Sequence, residues 1–198
     1  MESLFAAKLF RLVCNMYKCV PTQKPSLVLD LDSILIKKTQ LKTKDTEFFV
    51  KGKRKIYIQI RPDAIKFIKK ISKHYTIYFF TTEDKTIAKE IINFLAPFVA
   101  EKNCLCKDSC LSFKGYMFKD LRKFGKPLQN MVMVETLNGS AVLQPTNCIG
   151  INAWDGDNTD NVLMNELYPL LMQLHEKNNI VDVIKNQTGN YSMNLYKY

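Results

Sequence analysis

Two carboxylates two residues apart, Asp30 and Asp32, interrupt the apolar run PSLVLDLDSILI from Pro25 to Ile36. Side chains alternate along an extended chain, so both carboxylates point to the same side. Like charges that close ionise together only beside a cation. Mg²⁺, a hard ion with oxygen ligands and a frequent partner of phosphate, is the natural one. An ionised Asp can attack phosphorus and form an aspartyl-phosphate. A second carboxyl can protonate the leaving oxygen and later activate water. Such a site also needs a hydroxyl with its backbone N–H, and a lysine, to hold the phosphoryl oxygens.

The elements that must position these groups are legible from periodicity. Ser26–Leu29 reads as a buried strand running into Asp30. Thr43–Ile60 alternates as a β-hairpin around Lys51-Gly52-Lys53. Arg61-Pro62 ends it, and Asp63 is the expected N-cap of a helix over Ala64–Lys73. Tyr75–Phe80 is a second buried strand ending in Thr81 and Thr82, with a helix over Asp84–Leu95. A cysteine-containing hairpin follows, then YMFKDL with Lys119. Met131–Val134 is a third buried strand ending in Glu135 and Thr136. Asn147–Ile151 is a fourth, and a final helix covers Asp160–Glu176. Buried strands alternating with amphipathic helices indicate an α/β fold: a Rossmann-like, mostly parallel sheet flanked by helices. Three strands deliver polar residues at their C-terminal ends, the edge where ligands bind in open α/β sheets. A purely structural role for Asp30 and Asp32, as a cap or local ion pair, leaves the other polar strand ends as coincidence.

With 198 residues, 46% of them apolar and 24% charged, the chain has the composition of one globular domain. The net charge of +10 favours acidic partners: nucleic acid, anionic lipid or phosphorylated substrates. The excess is lysine rather than the arginine that reads base edges, which argues against nucleic acid. Cys104, Cys106 and Cys110 lack a fourth ligand at zinc-site spacing, so reduced thiols inside the cell are expected. Residues 1–19 read as an amphipathic basic helix, which could lie in a membrane interface or dock on the domain. Residues 20–25 are a linker broken by two prolines, residues 26–186 the domain, and residues 187–198 a polar tail.

At this point the sequence resembles the haloacid-dehalogenase superfamily. Within it the match is to the FCP/SCP group, the NLI-interacting-factor and Dullard-like protein phosphatases that act on the RNA polymerase II C-terminal domain. LVLDLDSILI stands where the family has a strand and DLDETL. IRPDAIKFIKKISKHYTIYFFTT is similar to its RP-x-x-x-x-F helix and FTAS strand end. KDSCLSFKGYMFKDL is similar to its cysteine hairpin and K-D-L. MVMVETLN falls where it has a strand and DNSP or DDSP. INAWDGDNTDNVLMNELYPLLMQL resembles its closing tryptophan segment and helix. These ordered blocks cover nearly all of Ser26–Asn186. The resemblance implies a haloacid-dehalogenase fold with a small β-hairpin insertion and no large cap. It makes Asp30 the nucleophile, Asp32 the general acid/base, Thr81 the phosphoryl-holding hydroxyl and Lys119 the neutralising cation. Thr82 and Lys107 would contact substrate. Asp30, Asp32 (through its backbone carbonyl), Glu135 and Thr136 would bind Mg²⁺.

The chain also departs from the pattern. Ser33-Ile34 replaces Glu-Thr, Lys107 stands where many members carry Arg, and Glu135-Thr136-Leu137-Asn138 replaces the Asp-rich metal block. Gly156–Asp160, GDNTD, imitates a superfamily metal motif and reads mainly as a helix-capping loop. The expected activity is a Mg²⁺-dependent phosphoserine/phosphothreonine protein phosphatase acting on a phosphorylated protein. The alternative is a catalytically silent binding protein on the same fold. The expected location is intracellular: the nucleus, or the nuclear-envelope or ER membrane surface, ahead of the mitochondrion.

Overall fold

The computed structural model describes residues 24–51, 55–136 and 141–175. The expected N-terminal helix, most of the linker and the C-terminal tail lie outside them. In chain order the elements are β1 (Ser26–Leu29), β2 (Ile36–Thr39), β3 (Phe48–Lys51), β4 (Lys55–Ile60), α1 (Ala64–Ile71), β5 (Thr76–Phe80), α2 (Lys85–Leu95) and β6 (Cys104–Leu105). There follow β7 (Leu111–Phe113), β8 (Tyr116–Lys119), β9 (Met131–Thr136), β10 (Ala141–Val142), β11 (Cys148–Ile151) and α3 (Tyr168–His175).

A parallel sheet in the order β11-β9-β1-β5-β6 forms the centre. β1 is central because SLVL is buried on both faces, and a strand with no polar face must be covered on both sides. Its register sets Leu29 beside Val134 on one side and Phe79 on the other. The chain therefore emerges from β1, β5 and β9 at one level, bringing Asp30, Thr81 and Glu135 to one edge. One face packs on α1, α2 and α3 through Phe67, Ile68, Ile71, Ile91, Leu95, Leu171 and Leu174. The other face carries Val28, Tyr78, Phe80, Met131 and Met133 against Leu121 and Phe124.

The insertion is larger than the expected hairpin. β3 and β4 do pair antiparallel across Lys51 and Lys55, and β2 adds to β4 as a third strand. The hairpin after the cysteines is β7–β8, extended in parallel by β10, and its turn places Lys114 (φ 49°) and Gly115 (φ 82°) left-handed. The cysteines themselves are not on a hairpin. Cys104 begins a two-residue strand on the edge of the main sheet, and a 3₁₀ turn spans Lys107–Ser109.

Asp63 does not cap α1. Its φ is 60° and its carboxylate pairs with Lys66 at 3.0 Å. Arg61, drawn inward, forces a reversal at Pro62-Asp63 before the helix begins, and Ala64 N–H donates to the Arg61 carbonyl at 3.1 Å. The helix ends at Ile71, two residues earlier than its pattern suggests. The last helix opens with one π-helical turn, Leu163–Leu167, ahead of α3. No helix among the described residues is long and apolar enough to cross a membrane.

Candidate active site

Asp30 continues β1 by one residue. Its N–H donates to the Val134 carbonyl at 3.2 Å, and it is buried. Lys119, at the end of β8, is fully buried and reaches the same point. Its ammonium lies 3.0 Å from Asp30 Oδ1 and 2.5 Å from Glu135 Oε2. Burial pulls the lysine pKa down, but the two carboxylates outweigh it and hold it above its ordinary value. For Asp30, burial and the Glu135 charge outweigh Lys119 and push the pKa up to about 7.

Asp30 Oδ1 is buried and ion-paired with the ammonium, and among the described residues no other donor reaches it. A buried carboxylate oxygen short of donors is costly, and a further cation at that oxygen lowers the cost. Among the described residues no three His, Cys, Asp or Glu side chains converge as a ligand cage. Oxygens that could serve such an ion are those of the Asp30 carboxylate, the Asp32 carbonyl and the Thr136 hydroxyl. That sparse oxygen set fits Mg²⁺, which takes one or two carboxylates and keeps several waters.

Glu135 lies in the same cluster as Asp30 and Lys119. Its Oε2 is on Lys119, and its Oε1 accepts from the Thr136 N–H at 3.0 Å and lies 3.4 Å from the Thr136 hydroxyl. Both oxygens are engaged inside the protein. The extra methylene over aspartate is what lets the carboxylate fold back on its own following amide.

Asp32 faces a different neighbour. The chain turns at Ser33, whose φ of 59° is left-handed, and Leu35 and Ile36 N–H both return to the Leu31 carbonyl. This tight loop lifts Asp32 to the surface, with its side chain 36% exposed. Lys38 on β2 lies 2.5 Å from Asp32 Oδ2 and also pairs with Glu83 Oε2. Burial raises the Asp32 pKa against the downward pull of Lys38.

Thr81 follows β5 and is 1% exposed. Its N–H donates to the Leu105 carbonyl at 3.0 Å, and its hydroxyl oxygen accepts from Glu83 N–H at 3.1 Å. That leaves the hydroxyl proton free to donate. Thr82 is half-buried beside it. Lys107 is exposed and pairs with Asp84 at 3.5 Å, at the margin rather than in the Asp30 cluster. Its N–H donates to the Glu83 carbonyl, so the loop it sits on is tied to the site.

Two features escaped the sequence reading. One is the Lys38–Glu83 pair on Asp32, for which IKKT carries no local signal. The other is Arg61, 1% exposed, whose Nε and second guanidinium nitrogen each lie 2.7 Å from an Asp160 carboxylate oxygen. Its remaining nitrogen donates to the Ile34 carbonyl at 3.2 Å, behind the Asp32 loop. Asp160 is thus spent on this clasp. In the same segment Asp157 takes the Thr159 N–H and hydroxyl, each at 2.8 Å.

Residues 25–182 match the NLI interacting factor-like phosphatase family. Among curated proteins the chain is 27% identical over 165 residues to Phosphatase Herzog of Drosophila melanogaster, covering 81% of this chain and 47% of that one. It is 30% identical over 168 residues to CTD small phosphatase-like protein 2 of Dictyostelium discoideum, covering 81% and 28%. The chain thus spans less than half the length of either relative. Among solved structures it superposes on the fission yeast RNA polymerase II CTD phosphatase Fcp1, in a form bound to beryllium fluoride. The TM-score is 0.56 at 19% identity, covering 87% of this chain and 64% of that one, a likeness of fold. The five-stranded parallel sheet, its polar edge and the match over residues 25–182 together make this chain a member of the NLI interacting factor-like phosphatase family.

Proposed function

We propose that the chain is a Mg²⁺-dependent phosphoserine/phosphothreonine protein phosphatase that works through an aspartyl-phosphate on Asp30. The observation that carries this reading is the buried Asp30 carboxylate at the end of β1, ion-paired with Lys119 beside the end of β9. Among the described residues the insertions are the small sheets β2–β4 and β7, β8 and β10, and an edge without a large cap admits a phosphorylated side chain of a protein. Asp30 attacks phosphorus as the bond to the serine or threonine oxygen breaks, and Asp32 gives that oxygen its proton. Water then attacks the aspartyl-phosphate while Asp32 takes its proton back, releasing phosphate and free Asp30. Lys119 holds Asp30 in line and offsets charge on the phosphoryl group; the Thr81 hydroxyl donates to a phosphoryl oxygen. Asp30, the Asp32 carbonyl and Thr136 would hold Mg²⁺, with Glu135 orienting Lys119. When bound, the ion neutralises phosphoryl charge and favours ionised Asp30.

The test is hydrolysis of an aryl phosphate and of matched phosphoserine, phosphothreonine and phosphotyrosine peptides, with Mg²⁺, with chelator and with Asp30→Asn. Turnover of the first two peptides that needs Mg²⁺ and disappears in Asp30→Asn is expected. Undiminished turnover in Asp30→Asn would overturn the assignment. Absence of turnover in folded protein would favour the silent binding protein, a reading to which the engaged oxygens of Glu135 lend support.

A further inference from the structure

At the opposite end of the central strands from Asp30 lies a second concave site. It is a cavity of about 460 Å³ whose lining includes Lys24, Lys102 and Lys126. Its floor is the start of β1 and β5, with the hydroxyl-bearing residues Ser26, Thr76 and Tyr78. No carboxylate lines it. Among the described residues neither Lys102 nor Lys126 has an acidic partner, whereas Lys38, Lys66, Lys85, Lys89, Lys107 and Lys119 all do. Lys24 donates to the Ser72 carbonyl at 3.3 Å, which leaves further N–H groups of its ammonium free.

Three lysines lining one cavity without a carboxylate give it a positive potential, which favours entry of an anion. Lysine suits phosphate as a point-charge partner, and hydroxyls add neutral donors to its oxygens. A single phosphate fills only a small part of 460 Å³. We infer that this cavity binds a compact anion carrying two or more phosphates, held by Lys24, Lys102 and Lys126. The ligand is a free polyphosphate or a polyphosphorylated lipid headgroup. The site is separated from Asp30 by the length of β1, about 13 Å for four residues at 3.3 Å each. It therefore stands whether or not the chain hydrolyses phosphate. β1 and β5 run from this floor to Asp30 and Thr81, so a ligand here would grip the strands that carry the proposed catalytic groups.

The test is direct binding of pyrophosphate and of soluble inositol trisphosphate, by calorimetry at low salt with chelator present. The full chain is compared with Lys102→Gln/Lys126→Gln and with a control of equal charge loss elsewhere, Lys69→Gln/Lys73→Gln. The first pair should weaken binding at least tenfold and the control less than twofold. A parallel arm uses vesicles with and without a phosphoinositide of the same headgroup; capture lost only in the first pair assigns the ligand to a lipid. Equal weakening in both pairs would reduce the effect to net charge and overturn the site, as would undetectable binding in the unmodified chain. All three proteins keep Asp30, Lys119 and Thr81, so anion binding at that end cancels in the comparison.

Discussion

Replacing Lys119 with methionine keeps the side-chain length and removes the ammonium between Asp30 and Glu135. At 3.0 and 2.5 Å the gross attraction to each carboxylate is about 6 kcal/mol at an effective dielectric of about 20. Desolvation offsets most of that, and breaking one side of a buried pair typically costs about 3–5 kcal/mol. The cost must depend on pH. Asp30 already has its pKa raised to about 7, chiefly by burial, and without Lys119 it rises further. An acid whose folded pKa exceeds its unfolded one destabilises the fold only when it has to ionise. The penalty is absent below about pH 4 and grows as pH rises towards the folded value. Lys119→Met should therefore melt about 6–20 °C below the unmodified protein at pH 8, and by much less at pH 5. Scanning calorimetry at both values reads this. Adding Asp30→Asn to Lys119→Met should recover most of the loss at pH 8. An equal deficit at both pH values, or no recovery in the double variant, would refute the electrostatic account and leave Lys119 as a packing residue.

Three further outcomes are expected. Lys38→Met removes the group that lowers the Asp32 pKa, so the basic limb of the pH–kcat profile should move upward on a phosphoserine peptide, where leaving-group protonation matters most. Arg61→Leu strands Asp160 and the Ile34 carbonyl, and urea titration should show a loss of about 2–4 kcal/mol, with Arg61→Lys recovering only part because it cannot make both bonds. The Asp120 carboxyl is held down to about 2, first by the Arg122 guanidinium and also by the Gln144 amide. Its contribution is present above about pH 4 and fades as pH falls towards 2, so Asp120→Asn should cost about 1 kcal/mol at pH 6 and almost nothing at pH 2, by chemical denaturation at each pH; the Arg122 side chain is largely exposed, which keeps the figure small.

The central sheet was readable because its strands have no polar face: SLVL, TIYFF and MVMV leave one reading, and the polar residue after each marks the common edge. Asp30, Thr81 and Glu135 follow from that pattern, Lys119 follows from the family resemblance, and the structure brings Lys119 to Asp30 and Glu135. What escaped depends on pairings distant in sequence. Arg61 and Asp160 are 99 residues apart, and nothing local to either predicts a buried guanidinium. IKKT has no alternation and became a strand only because β4 offered it an edge, which is how Lys38 came to sit on Asp32. The resemblance implies Glu135 as a metal ligand; its bonds to Lys119 and to the Thr136 N–H depend on neighbours that residue type alone does not reveal. Asp63 has the right chemistry for a cap and lacks the backbone angle, a constraint imposed by Arg61.

The Arg61–Asp160 clasp bears on how this chain is made. Synthesis runs from the N-terminus, so the strand bearing Asp30, the loop bearing Asp32 and Arg61 itself leave the ribosome well before residue 160. Until then the guanidinium has the Ile34 carbonyl but no carboxylate, and burying it unpaired costs about 3–5 kcal/mol, a large fraction of the stability of a domain this size. Before residue 160, about four-fifths of the way along the chain, the Asp32 loop cannot close against its core with Arg61 paired. The Trp154 N–H, which ties to the Ser33 carbonyl at 2.8 Å, arrives equally late. The proposed catalytic edge is thus assembled last, and a chain released early would carry the residues of the site without its shape.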